Sequence, residues 1–152
     1  MKVPAAVLAL TSVVFVGSAF AGSVQMATLK ASLNASQQVP PQVHKTLDAS
    51  GSFKATLRRV GSHGRATLNW RLSVAKLSSP VTVAYIDVPQ RGRAGEFVVE
   101  LCIRCATVSS GVTKTLPADV TKAISTRTGF VVIRTKKNPK GEIRGRITVA
   151  SA

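Results

Sequence analysis

The sequence predicts an all-β protein, an antiparallel β-sandwich or barrel of about seven to eight short strands with at most one short helix. Two neighbouring stretches carry the strongest signal, because apolar and polar residues alternate in them with a period of two. Phe53, Ala55 and Leu57 alternate with Ser52, Lys54, Thr56 and Arg58; Ala66, Leu68, Trp70, Leu72 and Val74 alternate with Arg65, Thr67, Asn69, Arg71 and Ser73. Turn-forming residues separate the apolar runs at short intervals, as at Gly61-Ser62-His63-Gly64. Helical spacing is confined to Leu116, Val120 and Ile124, which follow one another at i, i+4 and i+8 around Pro117 and Asp119.

Residues 1–21 read as a secretory signal peptide. Met1-Lys2 supplies the positive start, Val3 to Val16 the apolar run, and Ala19-Phe20-Ala21 the small-residue exit. The same pattern left uncleaved would be an N-terminal anchor. Cleavage after Ala21 predicts a secreted or periplasmic protein that is not transmembrane, in which residues 22–152 form one domain.

Leu29, Ala31 and Leu33 alternate with Lys30, Ser32 and Asn34 in a first strand. Gln37-Gln38-Val39-Pro40-Pro41-Gln42 cannot continue it, since proline donates no hydrogen bond, and is expected to be an extended connector. The alternating pair around Phe53 and Trp70 follows. Val81 to Val88 is apolar on both sides except at its end, with Ala84, Ile86 and Val88 on one face and Val81, Val83, Tyr85 and Asp87 on the other. A loop at 89–95 leads to Phe97, Val99, Leu101 and Ile103. The pattern weakens between Arg104 and Thr128. The last elements, from Gly129 to Ile147, form a hairpin in which Asn138-Pro139 bends the chain and Gly141 is free to adopt φ > 0.

Charge is the dominant feature of the composition. Lys and Arg number 21 against 6 Asp and Glu, a formal +15 of which one unit belongs to Lys2. Such a field attracts anionic polymers or envelope surfaces, with a strength that falls with salt; a basic background without a specific partner is the plainer alternative. Lys54, Arg58, Arg65 and Arg71 share one sheet face, and Lys136, Lys137, Lys140, Arg144 and Arg146 gather at the final hairpin, so these nine are the candidate anion-binding residues. No specific nucleic acid is expected, because aromatic residues make up 5% of the chain and Trp70 falls on the apolar face rather than among the cations.

Cys102 and Cys105 are the two cysteines. In an exported protein the pair is expected to close a small disulfide. A thioredoxin-like redox motif would need a helix N-terminus in a βαβ setting, and a zinc site would need a second pair of ligands. His44 and His63 lie apart in expected loops without partner spacing, and no nucleophile elbow, phosphate loop or paired-carboxylate motif occurs. The expectation is a non-enzymatic protein with no metal and no cofactor. Asn34-Ala35-Ser36 has the form of a glycosylation sequon.

The order of segments resembles the CHRD domain, named for chordin. The likeness covers most of residues 22–152 and rests on Leu33-Asn34-Ala35-Ser36-Gln37-Gln38-Val39-Pro40-Pro41, Gly51-Ser52-Phe53, Ala84-Tyr85-Ile86-Asp87, Gly95-Glu96-Phe97-Val98-Val99 and, most specifically, Pro139-Lys140-Gly141-Glu142-Ile143-Arg144-Gly145. It implies an immunoglobulin-like or related barrel in an extracellular domain with no activity established for the family as a whole. The family pattern carries His-Ile-His where this chain has Tyr85-Ile86-Asp87, and His-Thr where it has Arg134-Thr135. Replacement of those histidines argues against a metal here, since a guanidinium binds no cation. It suggests instead a polar cluster of Tyr85, Asp87 and Arg134, with Asp87 and Arg134 paired across the sheet.

Two functional readings follow. In the first, a binding or structural module contacts anionic polymers through its basic surfaces. In the second, another protein docks on an apolar face bearing Val81, Val83, Phe130 and Val132, provided the 104–128 segment leaves that face uncovered.

Overall fold

The computed structural model describes residues 23–61, 65–89 and 96–150, with Glu96 and Phe97 described by their backbone. The expected leader, the loop at 90–95 and most of the Gly61–Gly64 turn, including His63, lie outside the described residues. Nine strands and one α-helix are described: β1 (Val24–Asn34), β2 (Ser50–Val60), β3 (Ala66–Ala75), β4 (Val81–Val88), β5 (Glu96–Ile103), β6 (Val108–Val112), α1 (Ala118–Ser125), β7 (Phe130–Thr135), β8 (Ile143–Arg146) and β9 (Thr148–Val149). They form a single antiparallel sheet in the order β5-β4-β7-β8-β1-β2-β3-β6, with β9 also on β1, curled nearly into a barrel.

Alternation dictates the wall. On β2 and β3 every second side chain enters the interior, so Phe53, Leu68 and Leu72 are fully buried while Lys54, Arg58 and Arg71 face water. The remaining strands contribute Leu29, Leu33, Ile86, Ile133 and Ile143 to one continuous core, which Ile147, between β8 and β9, also joins. Each such side chain contributes about 1.5–3 kcal/mol by leaving water. Pro117 is the N-cap just before the helix, where no N–H bond is needed, and Val120 and Ile124 carry the helix's apolar face into the core.

Two details differ from the sequence expectation. The segment after Arg104 contains β6, a short edge strand paired with β3. Its sequence Val-Ser-Ser-Gly-Val has too few apolar residues to announce itself. In β4 the register with β7 shifts between Val81 and Val83. That irregularity moves Val81 to the interior, beside Ala84 and Ile86 in the core, rather than to the face shared by Val83, Tyr85 and Asp87.

Between β1 and β2 runs the connector at 35–49. It opens as a 3-10 turn capped by Asn34, whose side chain accepts from Gln37 N–H at 3.1 Å and from Ser36 Oγ at 2.7 Å. It then folds over the outward side of the β7–β8 hairpin, held by bonds to the hairpin loop. His44 N–H donates to Asn138 Oδ1 at 2.8 Å, Asn138 Nδ2 donates to His44 C=O at 2.9 Å, and Gln42 Nε2 donates to Glu142 C=O at 2.6 Å.

Candidate functional site

The outward side of β1, β2 and β3 is a ladder of level rungs. Pairing sets Lys30 opposite Lys54 and Lys54 opposite Arg71, so three exposed cations stand in one rung across three strands. Ser32, Ser52 and Ser73 form the rung on one side, and Thr28, Thr56 and Asn69 the rung on the other. Arg58 lies one rung further, between Met26 and Thr67, and Arg65 is exposed just before β3. None of the six acidic residues lies on these strands. Adjacent strands are about 4.8 Å apart, and like charges directly opposite one another repel. Lys30 is absent from the cations singled out in the sequence, because only the β1–β2 register brings it level with Lys54.

The outward side of β4, β7 and β8 is covered by the connector and has an opposite character. Tyr85, Asp87, Val132 and Arg144 all point outward from the barrel, yet all four are buried. Arg144 stands level with Val132, and Phe130 stands level with Asp87. The Arg144 guanidinium crosses β7 by lying 3.7 Å from the centre of the Phe130 ring, and its Nη2 reaches Asp87 Oδ2 at 3.4 Å. This is the one ion pair among the described residues. It is single-pronged, leaving Asp87 Oδ1 and Arg144 Nε without a hydrogen-bond partner.

The expected Asp87–Arg134 pair is therefore corrected. Arg134 stands level with Val83, four residues along β4 from Asp87, with Tyr85 between them. Its Nε donates to Tyr85 Oη at 3.1 Å, and its guanidinium lies 4.8 Å from the centre of that ring. Arg144 is corrected too. Rather than an exposed anion-binding residue it is 7% exposed and committed to Asp87, while Lys136, Lys137, Lys140 and Arg146 remain exposed.

Burial governs the titration of this cluster. It pushes the Asp87 carboxyl above the ordinary value, outweighing the pull of Arg144 and then Arg134. Burial also raises the Tyr85 phenol, against the attraction and hydrogen bond of Arg134. It lowers the Arg144 guanidinium, against the attraction of Asp87. A recess of about 210 Å³ opens beside the cluster, lined by Tyr85, Asp87, Val132 and Arg134 from the sheet and by Val39, Pro40, Pro139 and Lys140 from the two crossing segments.

The closing block beneath the recess acts as a clasp. Glu142 is fully buried and accepts from Ser78 N–H at 2.6 Å, Ser78 Oγ at 2.7 Å and Thr135 Oγ1. Burial opposes its ionisation, but the bonds from Thr135 and Ser78 prevail and hold the carboxyl below the ordinary range. Gly141, at φ 132°, leaves room for the Gln38 amide, which would meet a β-carbon there at 2.3 Å. At Gly145 a β-carbon would lie 2.3 Å from the Ser32 carbonyl, so glycine lets β8 press against β1. In the sequence Asn138 figures only as a turn residue and Glu142 only as part of the closing block, whereas both side chains are fully buried. An acidic residue in so basic a chain, set between two glycines and three residues after a proline, is the signal that could have found Glu142.

The apolar docking face is absent in the form expected. Val81 is 5% and Val132 2% exposed, Val83 and Phe130 are half-buried, and Arg144 and Arg146 lie over the Phe130 ring. Cys102 and Cys105 are joined in a disulfide in the turn from β5 to β6, where no helix begins. Among the described residues no three His, Cys, Asp or Glu side chains gather as a metal site would require.

Comparison with protein families matches residues 29–147 to the CHRD domain. No curated protein and no solved structure matches the chain.

Proposed function

This chain belongs to the CHRD-domain family, and from that premise we propose that it is an exported, non-enzymatic binding module whose basic sheet face holds an anionic polymer of the envelope or extracellular space. The family and the barrel fit a binding or structural role. One observation supports the finer reading: the level rung Lys30, Lys54 and Arg71, with no carboxylate on its strands. Repulsion within the rung is relieved when negative groups lie along it, and the flanking serine and threonine hydroxyls can donate to the same groups. Point charges of this kind position a polymer without reading its sequence. Lys136, Lys137 and Lys140 on the hairpin loop offer the same charge without the level spacing.

Two triple variants with equal charge loss test the reading. Lys30→Gln/Lys54→Gln/Arg71→Gln is expected to lower saturable polyanion affinity at least tenfold, while Lys136→Gln/Lys137→Gln/Lys140→Gln lowers it a few-fold. Equal losses would make the binding a general effect of charge, and the reverse order would move the site to the hairpin.

A further inference from the structure

The recess beside Tyr85 is separate from the cationic rung and has its own chemistry. Arg134 is held there by two contacts with one side chain, the Nε bond to Tyr85 Oη at 3.1 Å and the stack on the ring at 4.8 Å. Those contacts fix the plane of the guanidinium, and Arg134 makes no ion pair among the described residues. The one acidic side chain in the lining, Asp87, sits at the far end of the recess and is already paired with Arg144. Arg134 and exposed Lys140 therefore bring two positive charges to the recess against the single carboxylate of Asp87, which Arg144 already engages, and the remaining walls are Val39, Pro40, Val132 and Pro139.

We infer that this recess is a binding site for a compact organic carboxylate, with the acid group against Arg134 and Lys140 and the body between Val39, Pro40, Val132 and Pro139. A planar guanidinium held in place can engage a carboxylate through two parallel hydrogen bonds, which a lysine cannot. At about 210 Å³ the recess is smaller than the roughly 300–1,000 Å³ of drug-sized pockets, which selects a small acid over a polymer segment. The Val39, Pro40 and Pro139 side chains offer contacts that an organic body can use and an inorganic anion cannot.

Benzoate, its neutral isostere benzamide and inorganic phosphate are the probes, titrated into the full oxidised protein and followed by calorimetry and backbone NMR. The expected result is saturable benzoate binding at least tenfold tighter than that of benzamide or phosphate, with shifts centred on Val39, Tyr85, Val132 and Arg134. Arg134→Gln is expected to abolish it, Arg134→Lys to weaken it, and Lys30→Gln to leave it unchanged. Equal binding of benzamide or phosphate, or shifts centred elsewhere, would overturn the assignment, and mapping on the unaltered protein decides this even if the Arg134 variants fold poorly. Since the rung variants and the recess variants share no residue, failure here leaves the polyanion reading standing, and the reverse also holds.

Discussion

Lys30, Lys54 and Arg71 stand level on β1, β2 and β3 with water over them and no acidic partner, whereas Arg144 on β8 is buried, on the Phe130 ring and 3.4 Å from Asp87. Both sets of cations point outward from one barrel wall. The difference is cover: Val39 and Pro40 of the 35–49 connector share a recess with Tyr85, Asp87 and Val132, and Phe130 and Asp87 enclose the Arg144 guanidinium, whereas the other stretch of wall is bare. Water screens the exposed cations, so they persist unpaired at small cost and remain available to a ligand. Under cover each charge loses several kcal/mol of hydration, and only a partner makes that tolerable.

The largest effect is expected where the covered side is broken. Arg144→Leu leaves Asp87 buried without its partner and is expected to cost about 3–5 kcal/mol near neutral pH, read by urea unfolding. The cost should shrink in acid, because a carboxyl raised by burial gains a proton readily and then needs no cation. A loss of the same size at every pH would show that the ion pair contributes nothing.

Next comes the clasp that fastens the connector. Glu142→Gln is expected to cost about 2–3 kcal/mol, since hydrogen bonds to a charged acceptor are worth roughly 1.5–3 kcal/mol each. The two carboxylates act with opposite sign. Glu142 has its carboxyl lowered in the folded state, so its contribution is present above the ordinary carboxylate value and is lost as pH falls through the folded value. Asp87 has its carboxyl raised, so folding gains as pH falls through the raised value towards the ordinary one. The gap between wild type and Glu142→Gln should therefore close in acid, and a gap that stays constant would contradict the assignment to the charged form.

The smallest effect on stability belongs to the bare side. Lys54→Glu converts a repulsive rung into an alternating one and is expected to raise stability by up to about 1 kcal/mol while lowering polyanion affinity. Destabilisation instead would mean that the three cations are not in mutual repulsion.

These two sides were unequally legible in the sequence. Alternation around Phe53 and Trp70 identified the bare wall and its cations, because a strand with one wet face writes its orientation into every second residue. Pro117 with Leu116, Val120 and Ile124 likewise marked the helix, and the paired cysteines marked the disulfide. The covered wall left no such mark. Arg144 alternates like an exposed residue, and only its long-range contacts, the Phe130 ring and Asp87, account for its burial. Val81 was assigned to the wrong face because a one-residue irregularity reverses every side chain before it. Lys30 was missed because its neighbours come from register between strands, which local pattern does not contain.

The most direct measurement is the salt dependence of polyanion binding for wild type and for Lys30→Gln/Lys54→Gln/Arg71→Gln. If the level rung is the site, the slope of log affinity against log salt should fall by roughly one for each cation removed. An unchanged slope, with affinity preserved, would contradict the account and return the excess charge to the status of background.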